Sequence, residues 1–231
     1  MIAIDGPSGS GKSTVAQMVA ARLGYSFVES GAMYRAVALL ALERGTDFRD
    51  GAALGRLAAE AGIRFVPQSS GNRLFLGERD VTEAVRTPEV TETSSMVSVH
   101  AAVRQELVAR QQTLGRDGGV VMEGRDIGTK VFPKADLKIF LDASPEVRSE
   151  RRFRDIGDSG SVTQVRVLQE MAERDRRDRE RELSPLVPAA DSIYIDTSQI
   201  DADEVVERIL AHVKDKIQDC HGGTENTENS P

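Results

Sequence analysis

Between Gly6 and Ser13 the chain reads G-x-x-x-x-G-K-S, with a further glycine at position 9. Residues of these types grip anions. Glycines 6, 9 and 11 allow a tight turn that presents backbone N–H groups to oxygens. Lys12 adds a mobile positive charge, and the Ser13 hydroxyl can ligate a magnesium ion held by phosphates. The run Gly6, Pro7, Ser8, Gly9, Ser10, Gly11, Lys12, Ser13, Thr14 is therefore expected to hold a nucleoside triphosphate. A dinucleotide site is excluded, because G-x-x-G-x-G has the wrong spacing for one.

A second chemistry-bearing stretch lies late in the chain. Within Arg174–Arg181 five residues are arginine and three are acidic. On a helix Arg174, Arg177, Asp178 and Arg181 share a face. Two readings stand: a solvated helix laced with ion pairs, or a clamp whose planar guanidinium forks suit phosphate oxygens. Phosphoryl transfer favours the clamp. It asks the protein to hold donor and acceptor in line, neutralise the spreading charge and exclude water. Lys12 would serve the β and γ phosphates, with Arg177 or Arg181 approaching the transferring group from the other side.

The acceptor needs its own anion clamp. Ser30, Tyr34 and Arg35 follow a short strand, and Glu123-Gly124-Arg125-Asp126 leaves the end of another. In open α/β sheets ligands bind outside the carboxyl ends of the strands. A packed tyrosine, a solvated arginine and a local ion pair are the alternatives. Arg35, Arg104 and Arg125 together suit a phosphate monoester, and Asp126 could orient the acceptor or its sugar. His100, His212 and His221 are too scattered for a zinc site.

These residues need a frame. Strands are expected at Met1–Ile4, Tyr25–Val28, Gly118–Met122, Leu137–Leu141 and Ser192–Asp196, alternating with helices, which makes an α/β fold. Val15, Met18, Val19 and Leu23 recur at helical spacing behind the glycine turn. Strand, glycine loop, helix is the context that makes the motif a phosphate site. Ile63–Val66 and Arg73–Leu76 read instead as an antiparallel meander inserted in the alternation. The expected organisation is core 1–62, insert 63–86, core 87–147, lid 148–182, closing strand and helix 183–214, and a disordered polar tail 215–231. The lid carries ten arginines and nine acids and breaks at Gly157–Gly160, as two helices joined by a mobile turn would.

At 231 residues the chain suits one domain with inserted pieces. Aromatics are only 4%, so the core must be aliphatic. The net charge of −7 argues against general nucleic-acid binding. No apolar run approaches membrane-spanning length, and no signal peptide is expected ahead of the first strand. The single cysteine, Cys220, reads as unpaired in a reducing compartment. A cytoplasmic protein without membrane or nucleic-acid partners is the expectation.

The runs IDGPSGSGKST, ESGAMYRAVAL, EGRDIGTKVFPKADLKIFLDAS and ERDRRDRERELSPLVPAAD, spread over the chain to about residue 214, resemble those of the bacterial cytidylate kinases, P-loop members of the nucleoside monophosphate kinases. The resemblance implies a five-stranded parallel sheet in order 2-3-1-4-5 flanked by helices, with a helical lid and a small antiparallel insert on the acceptor side. It implies a monomer that converts ATP and CMP or dCMP to ADP and CDP or dCDP with Mg2+. By the same resemblance Ser30 contacts the cytosine base and Arg35 the α-phosphate, with Tyr34 beside them. Arg104 meets the base edge, Arg125 and Asp126 base and sugar, Arg174 and Asp178 phosphate and sugar, and Arg181 the transferring phosphate. The run ERDRRDRERE offers several registers for those lid roles. Glu123 departs from the aspartate common before GRD. The residues read alone also admit another nucleoside monophosphate or a small-molecule acceptor, because the arginines see phosphate and not the base.

Overall fold

The computed structural model describes residues 1–68, 71–156 and 163–222. Its elements are β1 (Ile2–Asp5), α1 (Lys12–Leu23), β2 (Ser26–Glu29), α2 (Ser30–Glu43), α3 (Gly51–Glu60), β3 (Ile63–Gln68), β4 (Gly71–Leu76), β5 (Arg79–Asp80), α4 (Pro88–Val97), α5 (Ala101–Leu114), β6 (Val120–Gly124), β7 (Leu137–Asp142), α6 (Pro145–Ile156), α7 (Gln164–Glu180), β8 (Ile193–Asp196) and α8 (Ala202–Gly222). A π turn, Ile127–Val131, follows β6.

The central sheet runs β2-β6-β1-β7-β8, all parallel, with Ile2 in register with both Val121 and Leu137. Counting core strands alone this is the order 2-3-1-4-5. Side chains alternate across it: Ile2 and Ile4 join the core beneath α1 and α8, whereas Ala3, Val120 and Met122 face Ile127 and Val131. Burial on both faces explains why these strands read as continuous apolar runs. A third cluster joins α2, α3, α4, α5 and the insert around Leu54 and Leu107.

Local chemistry sets the element ends. Gly24, at φ 67, closes α1 by donating to Ala20 and Ala21 carbonyls. Asp50 caps α3 by accepting from Ala53 N–H at 2.9 Å. Thr87 caps α4, with Pro88 on its first turn.

The insert is the three-stranded antiparallel sheet β3-β4-β5, pinned to the core where Asn72 Nδ2 donates to the Phe27 carbonyl at 2.6 Å. Its last strand is the short Arg79–Asp80, followed by the buried Val81. The lid is the pair α6 and α7. The expected Gly157–Gly160 turn lies outside the described residues. Helix α8 continues to Gly222, well into the stretch expected as tail from 215. Residues 214–220, KDKIQDC, contain no helix breaker, and Gly222-Gly223 is the first strong stop. Residues 223–231 lie outside the described residues. Among the described residues no helix is long and apolar enough to cross a membrane.

Candidate active site

The sheet ends open onto one cavity of about 1400 Å³. Pockets for one small ligand are usually about 300–1,000 Å³, so the volume suits two ligands side by side. Its floor is the loop Ser8–Thr14. Gly9 and Gly11 adopt φ 75 and 87, left-handed values that favour glycine. Gly6 and Pro7, expected in the same run, are not part of the lining, and a Cβ on Gly6 would fall 1.9 Å from the Leu141 carbonyl oxygen. That strand-to-loop junction therefore admits only glycine.

Lys12 opens α1 and is buried, 5% exposed, with its ammonium held by contacts within the loop where a mobile charge was expected. Its Nζ donates to the Pro7 carbonyl at 2.5 Å and lies 3.4 Å from Ser10 Oγ. Burial, and then the Arg125 charge, pull this ammonium down to about 7. Ser13 Oγ donates to Glu123 Oε1 at 3.2 Å. Burial raises the Glu123 carboxyl despite the neighbouring Lys12.

The residues expected on the acceptor side, Ser30, Tyr34, Arg35, Arg104, Arg125, Asp126, Arg174 and Asp178, all line the same cavity, as does Arg181. Arg35 pairs with Glu29 at 2.5 Å; burial pushes Glu29 up, and Arg35 pulls it to a net value below the carboxylate range. Arg104 lies over the Tyr34 ring, 5.7 Å from its centroid, and pairs with Asp126. Burial raises the Tyr34 phenol to about 12, which keeps it a neutral donor. Arg181 approaches Asp126 at 3.5 Å and Asp178 at 4.0 Å. Burial and the Arg125 charge lower Arg174 to about 10.

Several buried polar atoms on this lining have no hydrogen-bond partner among the described residues: Arg35 Nε, Arg174 Nε, Arg181 Nη2 and Ser95 Oγ. Three guanidinium groups with donors to spare, on residues that line one polar cavity, have the chemistry to receive oxyanions. The expected lid face is only partly realised. Arg174, Asp178 and Arg181 reach the cavity, but Arg177 is not part of the lining; its nearest acidic neighbour is Glu173, at 3.9 Å. The physical reason is the rotation of α7, which turns Asp175 and Asp178 inward with Val167 and Met171.

Other residues escaped the sequence reading. Arg151, on α6, donates to Thr197 Oγ1 at 2.9 Å and to its carbonyl at 2.7 Å, and both residues line the cavity, as do Ile200, Asp201 and Val205. The arginines at 151, 152 and 154 were the available signal. Ser95 belongs to the run Ser94-Ser95 on the buried face of α4, with the buried Ser98 just past its end, small polar residues where a core helix would carry apolar ones.

The cytidylate kinase family model matches residues 2–215. A cytidylate kinase of Exiguobacterium sibiricum is 50% identical over 90% of this chain and 94% of its own. Those of Bacillus pumilus and Bacillus subtilis are 49% and 45% identical, over 90% and 93% of this chain and 93% and 96% of their own. Among solved structures, a gluconokinase from Sinorhizobium meliloti superposes with a TM-score of 0.50 at 18% identity, covering 97% of both chains, which is a likeness of fold.

Proposed function

The chain belongs to the cytidylate kinase family, a family of ATP-dependent phosphotransferases, and on that premise we propose that it moves the γ-phosphoryl group of ATP to CMP or dCMP, acting as a monomer. The observation that carries the reading is the group of buried donors on Arg35, Arg174, Arg181 and Ser95 that lack a hydrogen-bond partner among the described residues, around one cavity floored by Lys12 and the glycine loop.

The triphosphate lies along Ser8–Thr14, with its base end toward Thr197 and Val205. The α-phosphate of the acceptor meets Arg35 and Arg174. Its base and sugar meet Ser30, Tyr34, Arg104, Arg125, Asp126 and Asp178. Because the acceptor is already an oxyanion, no strong general base is needed; catalysis is alignment and charge neutralisation. Lys12 neutralises the β and γ phosphates from below, and Arg181 meets the transferring group from the lid. Arg177 stands further back, where it adds positive potential to the lid. The buried ion pairs hold the guanidinium groups in place before the reaction, so little reorganisation is left for the transfer step. Closure of α6 and α7 keeps water from competing as acceptor.

Mg2+ fits the donor set. Ser13 Oγ and Glu123 are hard oxygen ligands beside the phosphate loop, and Mg2+ is usually bound through one or two protein oxygens plus substrate phosphates. Among the described residues no cluster of three or more His, Cys, Asp or Glu forms a cage, so the ion would depend on the phosphates. When bound, it neutralises phosphate charge.

The test is an acceptor screen with magnesium-ATP. CMP and dCMP should be used at least ~10-fold more efficiently than AMP, UMP or GMP, because a mismatched base leaves buried polar groups unpaired. ATP consumption independent of any monophosphate would end the reading, and preference for another monophosphate would replace the cytidine assignment.

A further inference from the structure

Asp5 ends β1 and immediately precedes the glycine loop, yet its carboxylate serves a different part of the site. Oδ1 accepts from the Ile127 N–H at 2.8 Å and Oδ2 from the Gly128 N–H at 2.7 Å. The residue is 5% exposed. These two N–H groups open the π turn after β6, so the carboxylate caps that turn where negative charge is favourable. The approach is close: a Cβ on Gly128 would lie 3.4 Å from Asp5 Oδ2 and 3.2 Å from Lys138 Cδ.

The turn begins directly after Arg125 and Asp126, the loop that pairs with Arg104, Asp178 and Arg181. Main-chain pairing already joins β1 to β6 as far as Asp5 and Gly124. Beyond Gly124 the sheet no longer holds the loop, and the two bonds to Asp5 take over. The geometry points to Asp5 as a positioning residue: it locks the Arg125–Asp126 loop to the strand that carries the glycine loop, and so sets where the acceptor sits relative to the donor phosphates.

This inference rests on the acceptor assignment above. It explains why a carboxylate is kept in a buried place where its charge is costly. Burial, partly countered by the Gly128 and Ile127 N–H groups, raises Asp5 to about 6; Asp126 raises it further and Lys12 lowers it. At neutral pH the group is therefore mainly ionised, with both oxygens free to accept. Asparagine has the same shape but one acceptor oxygen, and its amide nitrogen would face a backbone N–H.

Asp5→Asn in the full chain tests the idea. Misalignment by a fraction of an ångström should raise the acceptor KM ~10-fold and lower kcat, with the ATP KM within about twofold of wild type. A merely structural role would lower the Tm and leave the acceptor KM unmoved, or shift both KM values together; either result overturns the proposal. A measurement on the wild type needs no variant: the Ile127 and Gly128 amides should exchange with solvent as slowly as those of β1, and rapid exchange would refute the lock. Wild-type preference for a different monophosphate would count against the cytidine assignment alone, and the Asp5 comparison is then made on that acceptor.

Discussion

Arg125 Nε donates to Asp178 Oδ2 at 3.0 Å across 53 positions of sequence, joining the loop at the end of β6 to the lid helix α7. Asp178 is also flanked by Arg174 and Arg181. Although burial opposes its ionisation, Arg125 and these two arginines hold it below the ordinary carboxylate range. The contact belongs to both halves of the acceptor side, so its loss should register in stability and in acceptor use together.

Removing one partner of a buried ion pair leaves a charge uncompensated. Asp178→Ala should cost about 3 kcal/mol in urea unfolding, and Arg125→Met with Asp178→Leu should cost less than either single change. Additive costs would show that the two side chains do not act as a pair.

Lys12 gives a pH-dependent signature. Its folded value near 7, set by burial and then by Arg125, means that without nucleotide the group is largely neutral at pH 8. Phosphate oxygens favour the charged form, so ATP binding at pH 8 should take up close to one proton, falling toward none well below pH 7, where Lys12 is already protonated. Calorimetry in buffers of different ionisation enthalpy measures this uptake. Lys12→Ala should abolish it and lower turnover by about 10²–10³-fold, in line with loss of a group that stabilises transition-state charge.

Arg35 should matter to one substrate only. Arg35→Ala is expected to raise the acceptor KM by about 10²-fold while the ATP KM stays within about twofold, as for loss of a charge-assisted phosphate contact. The substitution strands Glu29 in a largely buried place, so Arg35→Ala with Glu29→Gln separates recognition from stability. Equal changes in both KM values would relocate the acceptor phosphate.

Gly6→Ala should destabilise out of proportion to its single methyl. The new Cβ meets a backbone carbonyl at 1.9 Å, so the β1–β7 junction must move. A cost of about 3 kcal/mol or more corresponds to a Tm lowered by roughly 10 °C in a chain of this size. A thermal melt near wild type would show that the junction yields cheaply.

Much of this was legible before any coordinates. The Gly6–Ser13 spacing, the apolar strand ahead of it and the helical period behind it are local signals, because backbone freedom and side-chain period act within a few residues. The antiparallel insert showed itself as short strand-like runs that broke the alternation. Ser30, Arg35, Arg125 and Asp126 could be placed because they follow strands, and the cavity lies at the strand ends.

What escaped was whatever depends on the rotation of a helix or on a meeting between distant segments. Arg177 shares a helical face with Arg174, Asp178 and Arg181 in the one-dimensional pattern, yet packing of Val167 and Met171 turns α7 so that Asp175 is buried beside Asp178 and Arg177 falls outside the cavity lining. Arg148 was one charge among many until folding set its guanidinium 2.5 Å from Asp175 and 3.2 Å from the Ser8 carbonyl. Asp5 gave no hint that its partners are 122 and 123 residues away. Residue type and near spacing determined the glycine loop, the elements on either side of it and the expectation that it holds phosphate. Which side chains line the cavity beside that loop was decided only by tertiary structure, since charge–charge and hydrogen-bond energies depend on ångström-scale separations that sequence spacing does not encode.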